Sequence, residues 1–508
     1  MANGQPDVIV VGAGNAALCA ALAAHEAGAR VVVLESASRA ERGGNSFFSG
    51  GIFRTRHDGL DSLLPVLSEE GRRWRDRVRV APYPRAAFLH DWLTVTAGRA
   101  NRALIETVVD GSYETLCWMH ERGVPFELVT DKLFDPATLA PGASYDIPPG
   151  GAIRAAHEGV GLVHALFEAV SAAGIEVWYE APAAALLTSG STVEGVRIRR
   201  RDGFEELRGT VVLASGGFES NPELRLRYLG SGWDLVKVRG TRFNMGTMLT
   251  QALLAGAQPV GHWEGCHAAP IDAAAPPFGE RHMTDKYSRY SYPYALLVNA
   301  RGERFVDEGE EQVWLTYAKT GAAVRAQPAG VAYQLFDQQT VHLLEPRYST
   351  GTPVEAETIA ELAGKLGLPA ATLERTVGTF NAATAPDAAA RFNPFANDGV
   401  AASPEGQPPK SNWALPLKRP PFVAYAVACG ITFTYGGLTV DRRANVLDTE
   451  GRPMPGLYAT GEIIGDFFYF NYGAGTGLMR GAVFGRIAGE SAAAAARERA
   501  GFAGVSGA

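Results

Sequence analysis

Apolar and polar residues alternate in blocks over the first 35 positions of the chain. Residues 8–11 are Val-Ile-Val-Val, a β-branched run long enough for one buried parallel strand. The Ala- and Leu-rich segment over residues 15–27 predicts a helix, and a second apolar run over residues 29–34 predicts another strand. This order of strand, helix and strand predicts an α/β fold that begins with two parallel strands.

The turn between the first predicted strand and helix reads Gly-Ala-Gly-Asn-Ala-Ala over residues 12–17. Gly12 permits a tight turn, Gly14 lets the backbone approach a pyrophosphate, and Ala17 lets the helix pack closely on the strand. Glu35 follows the second strand, where a carboxylate can accept a hydrogen bond from an unphosphorylated ribose, so FAD or NAD is favoured over NADP. The predicted dinucleotide contacts in this stretch are Gly12, Gly14, Asn15, Ala16, Ala17, Glu35 and Ser36.

The next segment is a second glycine-rich loop. Residues 43–51 read Gly-Gly-Asn-Ser-Phe-Phe-Ser-Gly-Gly, and such a backbone can lie flat against a planar ring. A flexible surface loop is the alternative, but Phe47 and Phe48 argue against free exposure. The predicted ligand contacts in this loop are Gly43, Gly44, Asn45, Ser46, Ser49, Gly50 and Gly51.

Three later turns repeat this pattern. Residues 211–217 and 456–462 each read as a buried strand that ends in glycines. Residues 472–477 open a predicted helix that continues to about Arg497, and a glycine-rich helix N-terminus offers amides and a positive dipole to a negative group. The contacts predicted from these turns, together with Ala184, are Ser215, Gly216, Gly217, Gly461, Glu462, Gly475, Gly477 and Leu478.

The segments between these turns contain helical and strand patterns. Residues 61–130 and 151–173 read as helical, and the Arg-rich piece at 71–80 reads as a solvated helix face. Short strands of an inserted meander are predicted at 175–180, 185–188, 193–200 and 206–213.

The composition of the chain changes near residue 260. From there to about residue 420 it is rich in Pro, Tyr, His and Trp, with a strand–turn–strand pattern over 292–308 and helices over 356–366 and 370–382. A chain of 508 residues predicts two or three domains. We predict a Rossmann-like dinucleotide-binding domain formed by residues 1–260 and 421–508, with an inserted α+β capping domain at residues 261–420.

Composition and charge restrict the function classes. With 46% hydrophobic and 20% charged residues the chain is an ordinary globular protein, and a net charge of −7 gives no basic field for nucleic acid. No apolar run reaches the ~20 residues that span a bilayer, and no signal peptide is recognisable, so a cytoplasmic location is expected. The four cysteines lack a C-x-x-C spacing, which predicts free thiols and no metal or iron–sulfur site.

These motifs agree in order and spacing with a known family. The first glycine turn with Glu35, the Gly-Gly-Asn-Ser loop, Ala-Ser-Gly-Gly-Phe at 214–218 and Gly-Leu-Tyr-Ala-Thr-Gly-Glu at 456–462 resemble the FAD-dependent fumarate reductase/succinate dehydrogenase flavoprotein superfamily, which includes ketosteroid dehydrogenases. The resemblance covers nearly the whole chain. Residues 261–267, 304–309 and 429–437 resemble the tricarballylate dehydrogenase branch.

The resemblance implies an enzyme with FAD in one domain and a small-molecule substrate beneath a mobile cap. It also implies hydride exchange between a substrate carbon and flavin N5, beside an activating carbonyl or carboxylate. Members with covalent flavin carry a His in the loop matching residues 43–51, and this chain has none there, so non-covalent FAD is expected. A separate electron-acceptor protein or a quinone would take the electrons.

Departures from the family pattern argue against fumarate reduction. Fumarate reductases have an Arg, a His and an Arg at positions that match Gln312, Phe433 and Tyr472 here. Tyr472 instead matches ketosteroid dehydrogenases, in which the phenol helps to hold a substrate carbonyl. A dehydrogenase or ene-reductase acting beside a carbonyl or carboxylate is therefore the leading hypothesis. An O2-using oxidase or hydroxylase and a non-catalytic electron-transfer subunit are the alternatives.

Four residues are candidates for catalysis. Tyr472 would polarise the carbonyl, and His267 would be the base because imidazole titrates near neutral pH. Arg289 would lower the pKa of a tyrosine or bind a substrate carboxylate, and Tyr292 represents a group of cap tyrosines near the cleft. The alternatives are a structural histidine at a cap hinge and tyrosines that serve only for packing.

Overall fold

The computed structural model describes residues 5–130 and 144–505, and its first sheet confirms the predicted α/β class. Val8–Val11 lies in the middle of this sheet, fully buried and paired in parallel on both sides. A β-branched run suits this position because both faces of the strand are covered. In sheet order the strands are Asn445–Leu447, Pro453–Ala459, Thr210–Leu213, Val8–Val11, Val31–Leu34 and Glu176–Trp178.

Two helices built from small residues pack on this sheet and on each other. The helix Asn15–Glu26 is rich in alanine, and the long helix Thr476–Val505 presents glycines to it. A Cβ at Gly485 would lie 2.6 Å from the carbonyl oxygen of Ala16, so only glycine allows the two helices to approach this closely. The contact joins the first and last parts of the chain around the first glycine turn.

The second sheet is organised around the long strand Phe422–Thr434. In order it contains Lys237–Val238, Phe422–Thr434, Val331–Phe336 and Leu296–Asn299, and Cys266–Asp272 and Val354–Ala356 also pair with the long strand. Two of these strands come from outside residues 261–420, so the sheet extends beyond the range predicted for the cap. The predicted domain boundaries stay predictions.

Three-stranded and two-stranded sheets complete the strand content. The inserted meander consists of Ala183–Ser189, Thr192–Arg200 and Gly203–Arg208, whereas the strand predicted for it at 175–180 is Glu176–Trp178, which pairs in parallel in the first sheet. The remaining strands are Ile52–Phe53, Ile153–Ala155 and Phe126–Leu128 in one sheet, Val78–Val80 with Tyr145–Ile147, and Pro259–Val260 with Gly437–Leu438.

The remaining helices are short or intermediate in length. They are Gly44–Phe47, Leu60–Leu63, Arg85–Val95, Arg102–Glu121, Glu158–Ala172, Pro222–Leu229, Thr247–Leu254, Tyr317–Arg325, Ile359–Leu366, Ala370–Ala383 and Ala388–Arg391. The helices predicted over 356–366 and 370–382 are therefore found within three residues of their predicted ends.

Several predicted elements were wrong. The Arg-rich piece at 71–80 forms 3-10 turns and the strand Val78–Val80 rather than a helix face. The segment 206–213 divides at Gly209 into two strands that belong to different sheets, Gly203–Arg208 and Thr210–Leu213. Residues 304–308 make only an isolated bridge, from Arg304 to Val298, rather than a second strand.

All four cysteines are free, and three of them (Cys19, Cys266 and Cys429) are buried. Within residues 5–130 and 144–505, no cluster of His, Cys, Asp or Glu is arranged to hold a metal ion. In the same part of the chain, every helix is too short or too polar to traverse a bilayer.

Candidate functional site

A large cleft opens where the parallel strands of the first sheet end, and it reaches the second sheet. Residues of both sheets line it, from Val11 in the first sheet to Phe433 in the second. Ligands of α/β proteins bind at this edge of the sheet. The predicted cofactor contacts that line it are Gly12, Gly14, Asn15, Ala16, Glu35, Ser36, Gly44, Asn45, Ser46, Ser49, Gly50, Gly51, Ser215, Gly216, Gly461, Glu462, Gly475, Gly477 and Leu478.

Hydrogen bonds hold three glycine-rich segments together around this cleft. The backbone N–H of Asn15 donates to Oγ of Ser46 at 3.0 Å, and the side-chain amide of Asn15 donates to the carbonyl of Leu478 at 2.8 Å. The backbone N–H of Arg54 donates to the carbonyl of Gly475 at 3.2 Å. Residues separated by more than 400 positions therefore form one wall.

Gly12 and Glu35 occupy the positions that the motif assigns to them. Gly12 has a φ of 109°, and a Cβ there would lie 2.3 Å from the carbonyl oxygen of Ala214 on the next strand. Oε1 of Glu35 accepts a hydrogen bond of 2.8 Å from the backbone N–H of Ala37. Burial raises the pKa of Glu35, while backbone hydrogen bonds to it act in the opposite direction.

Four predicted cofactor residues support the cleft without lining it. Ala17 is fully buried between the helix and the sheet. A Cβ at Gly43 would lie 2.6 Å from the side chain of Val163, and one at Gly217 would lie 2.1 Å from the carboxylate of Glu462. Ala184 also stands outside the cleft, and its neighbour Ala183 lines it instead because side chains alternate along a strand.

Asn45 is held by Glu219, one of two neighbouring buried carboxyl groups. Its side-chain amide donates to Oε1 of Glu219 at 2.6 Å, and Asn244 donates to the same oxygen at 2.5 Å. Burial and the neighbouring charge of Glu462 raise the pKa of Glu219 well above its ordinary value. Burial also raises the pKa of Glu462. The pair therefore favours a shared proton over two adjacent negative charges.

Tyr472 and His267 meet in the part of the cleft that faces the second sheet. Their ring centroids are 4.9 Å apart, and Tyr317 lies 4.9 Å from His267 and 6.2 Å from Tyr472. The phenol oxygen of Tyr472 accepts a hydrogen bond of 3.2 Å from the backbone N–H of Gly477. The sequence-predicted polariser and base thus lie side by side, and their catalytic roles remain predictions.

His267 is 2% exposed, and its Nδ1 has no hydrogen-bond partner among the residues that the structure describes. Burial, reinforced by the positive charge of Arg239, lowers the pKa of His267 well below its ordinary value. The imidazole is therefore neutral at neutral pH and can accept a proton, although more weakly than an exposed histidine.

Arg289 does not reach the cleft, which corrects its predicted role as a cation beside the substrate. Its side chain is completely buried, and its Nη2 donates to Oδ2 of Asp272 at 2.7 Å. Its Nη1 donates to the backbone carbonyls of Lys286 and Arg347, at 2.9 and 3.1 Å. Arg289 therefore holds the backbone at Lys286 and Arg347.

Tyr292 is also outside the cleft, so the structure does not support its predicted catalytic role. It is 2% exposed, and its hydroxyl forms a 2.5 Å hydrogen bond with Oγ1 of Thr316. Burial raises the pKa of Tyr292 above its ordinary value. Tyr292 therefore serves for packing, which was the alternative interpretation, whereas its neighbour Tyr290 does line the cleft.

Sequence reasoning missed a buried ionic network at the same end of the cleft. Asp285 pairs with Arg239 and, at 2.7 Å, with Arg347, and all three line the cleft. Both guanidinium groups also lie over the ring of Tyr290, at 6.0 and 5.2 Å from its centroid. The arginines are 46 and 62 positions from Asp285, so no local motif signals the cluster.

The protonation of His267 can be tested through stability. Because its pKa is lowered in the folded state, the unfolded chain binds the proton more readily, and folding stability is lost as the pH falls below about 6.5. We expect His267→Asn to reduce this loss, by up to about 1.4 kcal/mol for each pH unit. Thermal unfolding between about pH 5 and about pH 7 measures it. His25→Asn, which removes an exposed imidazole, is the control; equal effects of both variants would contradict the prediction.

The fold and the cleft define a dinucleotide-binding α/β protein with a second sheet over its ligand. The chain belongs to the FAD binding domain family, whose model matches residues 7–478. This membership confirms the predicted superfamily of fumarate reductase and ketosteroid dehydrogenase-like flavoproteins and confirms FAD as the cofactor.

Individual relatives are distant. The chain is 25% identical to the NADH:acrylate oxidoreductase of Vibrio harveyi over 96% of its own length and 50% of the relative. It is 29% identical to the 4-oxocyclohexanecarboxylate 2-dehydrogenase of Sinomonas cyclohexanicum, covering 96% and 92% of the two chains. Its fold is similar to that of the 3-ketosteroid Δ1-dehydrogenase of Sterolibacterium denitrificans, with a TM-score of 0.71, 21% identity and coverage of 96% and 99%. The chain spans about half the length of its NADH-dependent relatives, 50% and 48%.

The residues present fit FAD. One continuous cleft is lined by the carboxylate of Glu35, by the first turn of the helix Asn15–Glu26 and by Gly475 and Gly477 at the start of the last helix. The carboxylate can bind a ribose hydroxyl, and the first helix can bind the pyrophosphate. The start of the last helix can stabilise a flavin ring that becomes negative on reduction. The absence of a covalent link to FAD stays a prediction.

Proposed function

We propose that this chain is an FAD-dependent dehydrogenase, or a reductase in the reverse direction, acting on a C–C bond beside a ketone carbonyl. The observation that carries the proposal is the position of the Tyr472 phenol. It stands in the cleft beside His267, and the Gly477 amide fixes its oxygen. An O–H group held in this way is a directed donor to a substrate oxygen.

The chemistry follows from what each side chain can donate or accept. The phenol of Tyr472 donates to the carbonyl oxygen, which makes a proton on the adjacent carbon acidic. The hydrogen bond that the phenol oxygen receives from Gly477 strengthens the phenol as a donor. When bound, FAD supplies the acceptor for the hydride that leaves the next carbon. The product is a C=C bond conjugated to the carbonyl.

We propose neutral His267 as the acceptor of the proton. Its ring lies next to that of Tyr472, and its lowered pKa lets it release the proton again easily. Tyr317 is the second candidate, but burial raises the pKa of its phenol well above the ordinary value and disfavours phenolate. A pH profile of kcat that changes shape in His267→Asn and not in Tyr317→Phe would support this assignment.

A ketone suits the cleft better than a polycarboxylate such as tricarballylate. Arg239 and Arg347, which could bind carboxylates, are both paired with Asp285. The side-chain amide of Gln312 donates to Asn397 at 3.1 Å, and Phe433 packs on the aromatic cluster around Tyr472. The 29% identity to a dehydrogenase named for an oxocyclohexanecarboxylate supports the same choice.

The test is a search for substrates that bleach the yellow oxidised protein under anaerobic conditions. We expect cyclohexanones, including 4-oxocyclohexanecarboxylate, to bleach it, and succinate and tricarballylate to leave it yellow. Bleaching by the polycarboxylates alone would overturn the ketone assignment. Stopped-flow reoxidation separates a dehydrogenase that passes electrons to a separate protein or quinone from an oxidase, because only the oxidase reacts rapidly with O2.

A further inference from the structure

Arg480 differs from the other two arginines that line the cleft in the described part of the chain. Arg239 and Arg347 are paired with Asp285, whereas Arg480 forms no ion pair with a described carboxylate. Its one described hydrogen bond runs from Nη1 to the carbonyl of Ile464 at 3.3 Å, and its Nε is buried without a partner. The buried carboxyl of Glu462 acts on it electrostatically, but no ion pair joins the two, so Arg480 is a cation in the cleft wall that its surroundings compensate only in part.

Arg480 is buried among aromatic rings and remains protonated. The guanidinium carbon lies 5.7, 5.2 and 4.8 Å from the ring centroids of Phe433, Phe467 and Phe468, and the residue is 3% exposed. Burial lowers the pKa of Arg480 to about 10, so it stays protonated at neutral pH. Burial disfavours a cation that no ion pair holds, and a ligand that supplies further negative charge beside Arg480 would offset part of this penalty.

We infer that Arg480 provides the counter-charge for the negative charge that the flavin ring acquires on reduction. Arg480 lies one turn inside the helix Thr476–Val505, directly after the predicted FAD contacts Gly475, Gly477 and Leu478. The dipole of this helix acts in the same direction. The inference depends on FAD binding and is independent of the substrate.

The midpoint potential of bound FAD, measured without substrate, tests the inference. Arg480→Gln is expected to lower the potential by about 30 mV or more, which corresponds to a tenfold change in the equilibrium constant of a two-electron couple. Arg480→Lys, which retains the charge, is expected to recover most of this shift. Arg486→Gln is the matched control: Arg486 lies on the same helix with a buried, unpartnered Nε but does not line the cleft.

The pH dependence of the wild-type potential is a second test that needs no variant. A reduced ring that stays anionic takes up one proton with two electrons, so the potential falls by about 30 mV per pH unit. A ring that becomes neutral takes up two protons and gives about 59 mV per pH unit. At a pH low enough to protonate the ring of free reduced FAD, we expect bound FAD to retain the smaller slope.

Two results would overturn the inference. One is an unchanged potential in Arg480→Gln together with the larger slope in the wild-type protein. The other is an unchanged potential with a higher KM for an anionic substrate, which would assign Arg480 to the substrate instead. The first result does not bear on the ketone proposal, because the potential is measured in the absence of substrate.

Discussion

Tyr472→Phe is expected to lower kcat at least about tenfold on a ketone substrate while FAD remains bound. The variant keeps the ring, which contacts His267, Phe433 and Phe468, and loses only the hydroxyl group. Removing one donor that stabilises developing negative charge on an oxygen costs about 10²–10³ in kcat in other enzymes. Steady-state kinetics with an artificial electron acceptor, together with the flavin absorbance of the purified variant, measure both quantities.

Tyr435→Phe is the matched control for this experiment. Tyr435 belongs to the same aromatic cluster, at 5.5 Å from Phe433 and 5.7 Å from Phe468 between ring centroids, and its hydroxyl is buried without a partner. It does not line the cleft, so its loss should leave kcat unchanged. Equal turnover of Tyr472→Phe and the wild-type protein would remove Tyr472 from the mechanism.

The cofactor end of the cleft could be predicted from the sequence because its requirements are local. Gly12 must have a positive φ, Gly14 must leave room, and Glu35 must follow the second strand, and each is visible within the first 35 residues. The convergence of three distant glycine turns also follows from the parallel sheet, which brings the carboxyl ends of its strands to one edge. Ala17, Gly43, Ala184 and Gly217 support the cleft without lining it, and a motif does not distinguish a lining backbone from a packed one.

The substrate end could not be predicted in the same way. Arg289, Tyr290 and Tyr292 are neighbours in sequence, yet only Tyr290 lines the cleft, because the chain bends into a 3-10 turn at Tyr292–Tyr294. The direction of each side chain depends on that turn and on its packing against other elements. The Asp285 cluster unites residues from three separate segments, and only tertiary structure brings them together.

Positive charge is unevenly compensated along the cleft: Arg239 and Arg347 form ion pairs, and Arg480 forms none with a described carboxylate. At the substrate end Asp285 and Glu345 together compensate Arg239 and Arg347, which leaves polar but nearly neutral walls around Tyr290 and Tyr317. Beside the last helix, Arg480 adds a positive charge to the helix N-terminus. This distribution would suit a flavin ring that becomes negative on reduction at one end of the cleft and an uncharged ketone at the other.

Gly12→Ala is expected to abolish FAD binding at ordinary concentrations. The new Cβ would lie 2.3 Å from the carbonyl oxygen of Ala214, a backbone atom of the neighbouring strand that cannot move without disturbing the sheet. An alanine at φ 109° adds a conformational cost of about 1–2 kcal/mol. A displacement of this turn that weakens the site by ~3 kcal/mol raises the Kd for FAD more than about 100-fold.

Gly28→Ala separates the effect of the clash with Ala214 from the effect of placing an alanine at a positive φ. Gly28 also has a positive φ, of 86°, but a Cβ there meets no atom within 4 Å, and it lies at the far end of the helix Asn15–Glu26. This variant should therefore lose some stability and retain the wild-type affinity for FAD. Fluorescence titration of the apoprotein measures both values of Kd. If Gly12→Ala binds FAD as tightly as Gly28→Ala, the first glycine turn does not hold the cofactor, and the assignment of this end of the cleft fails.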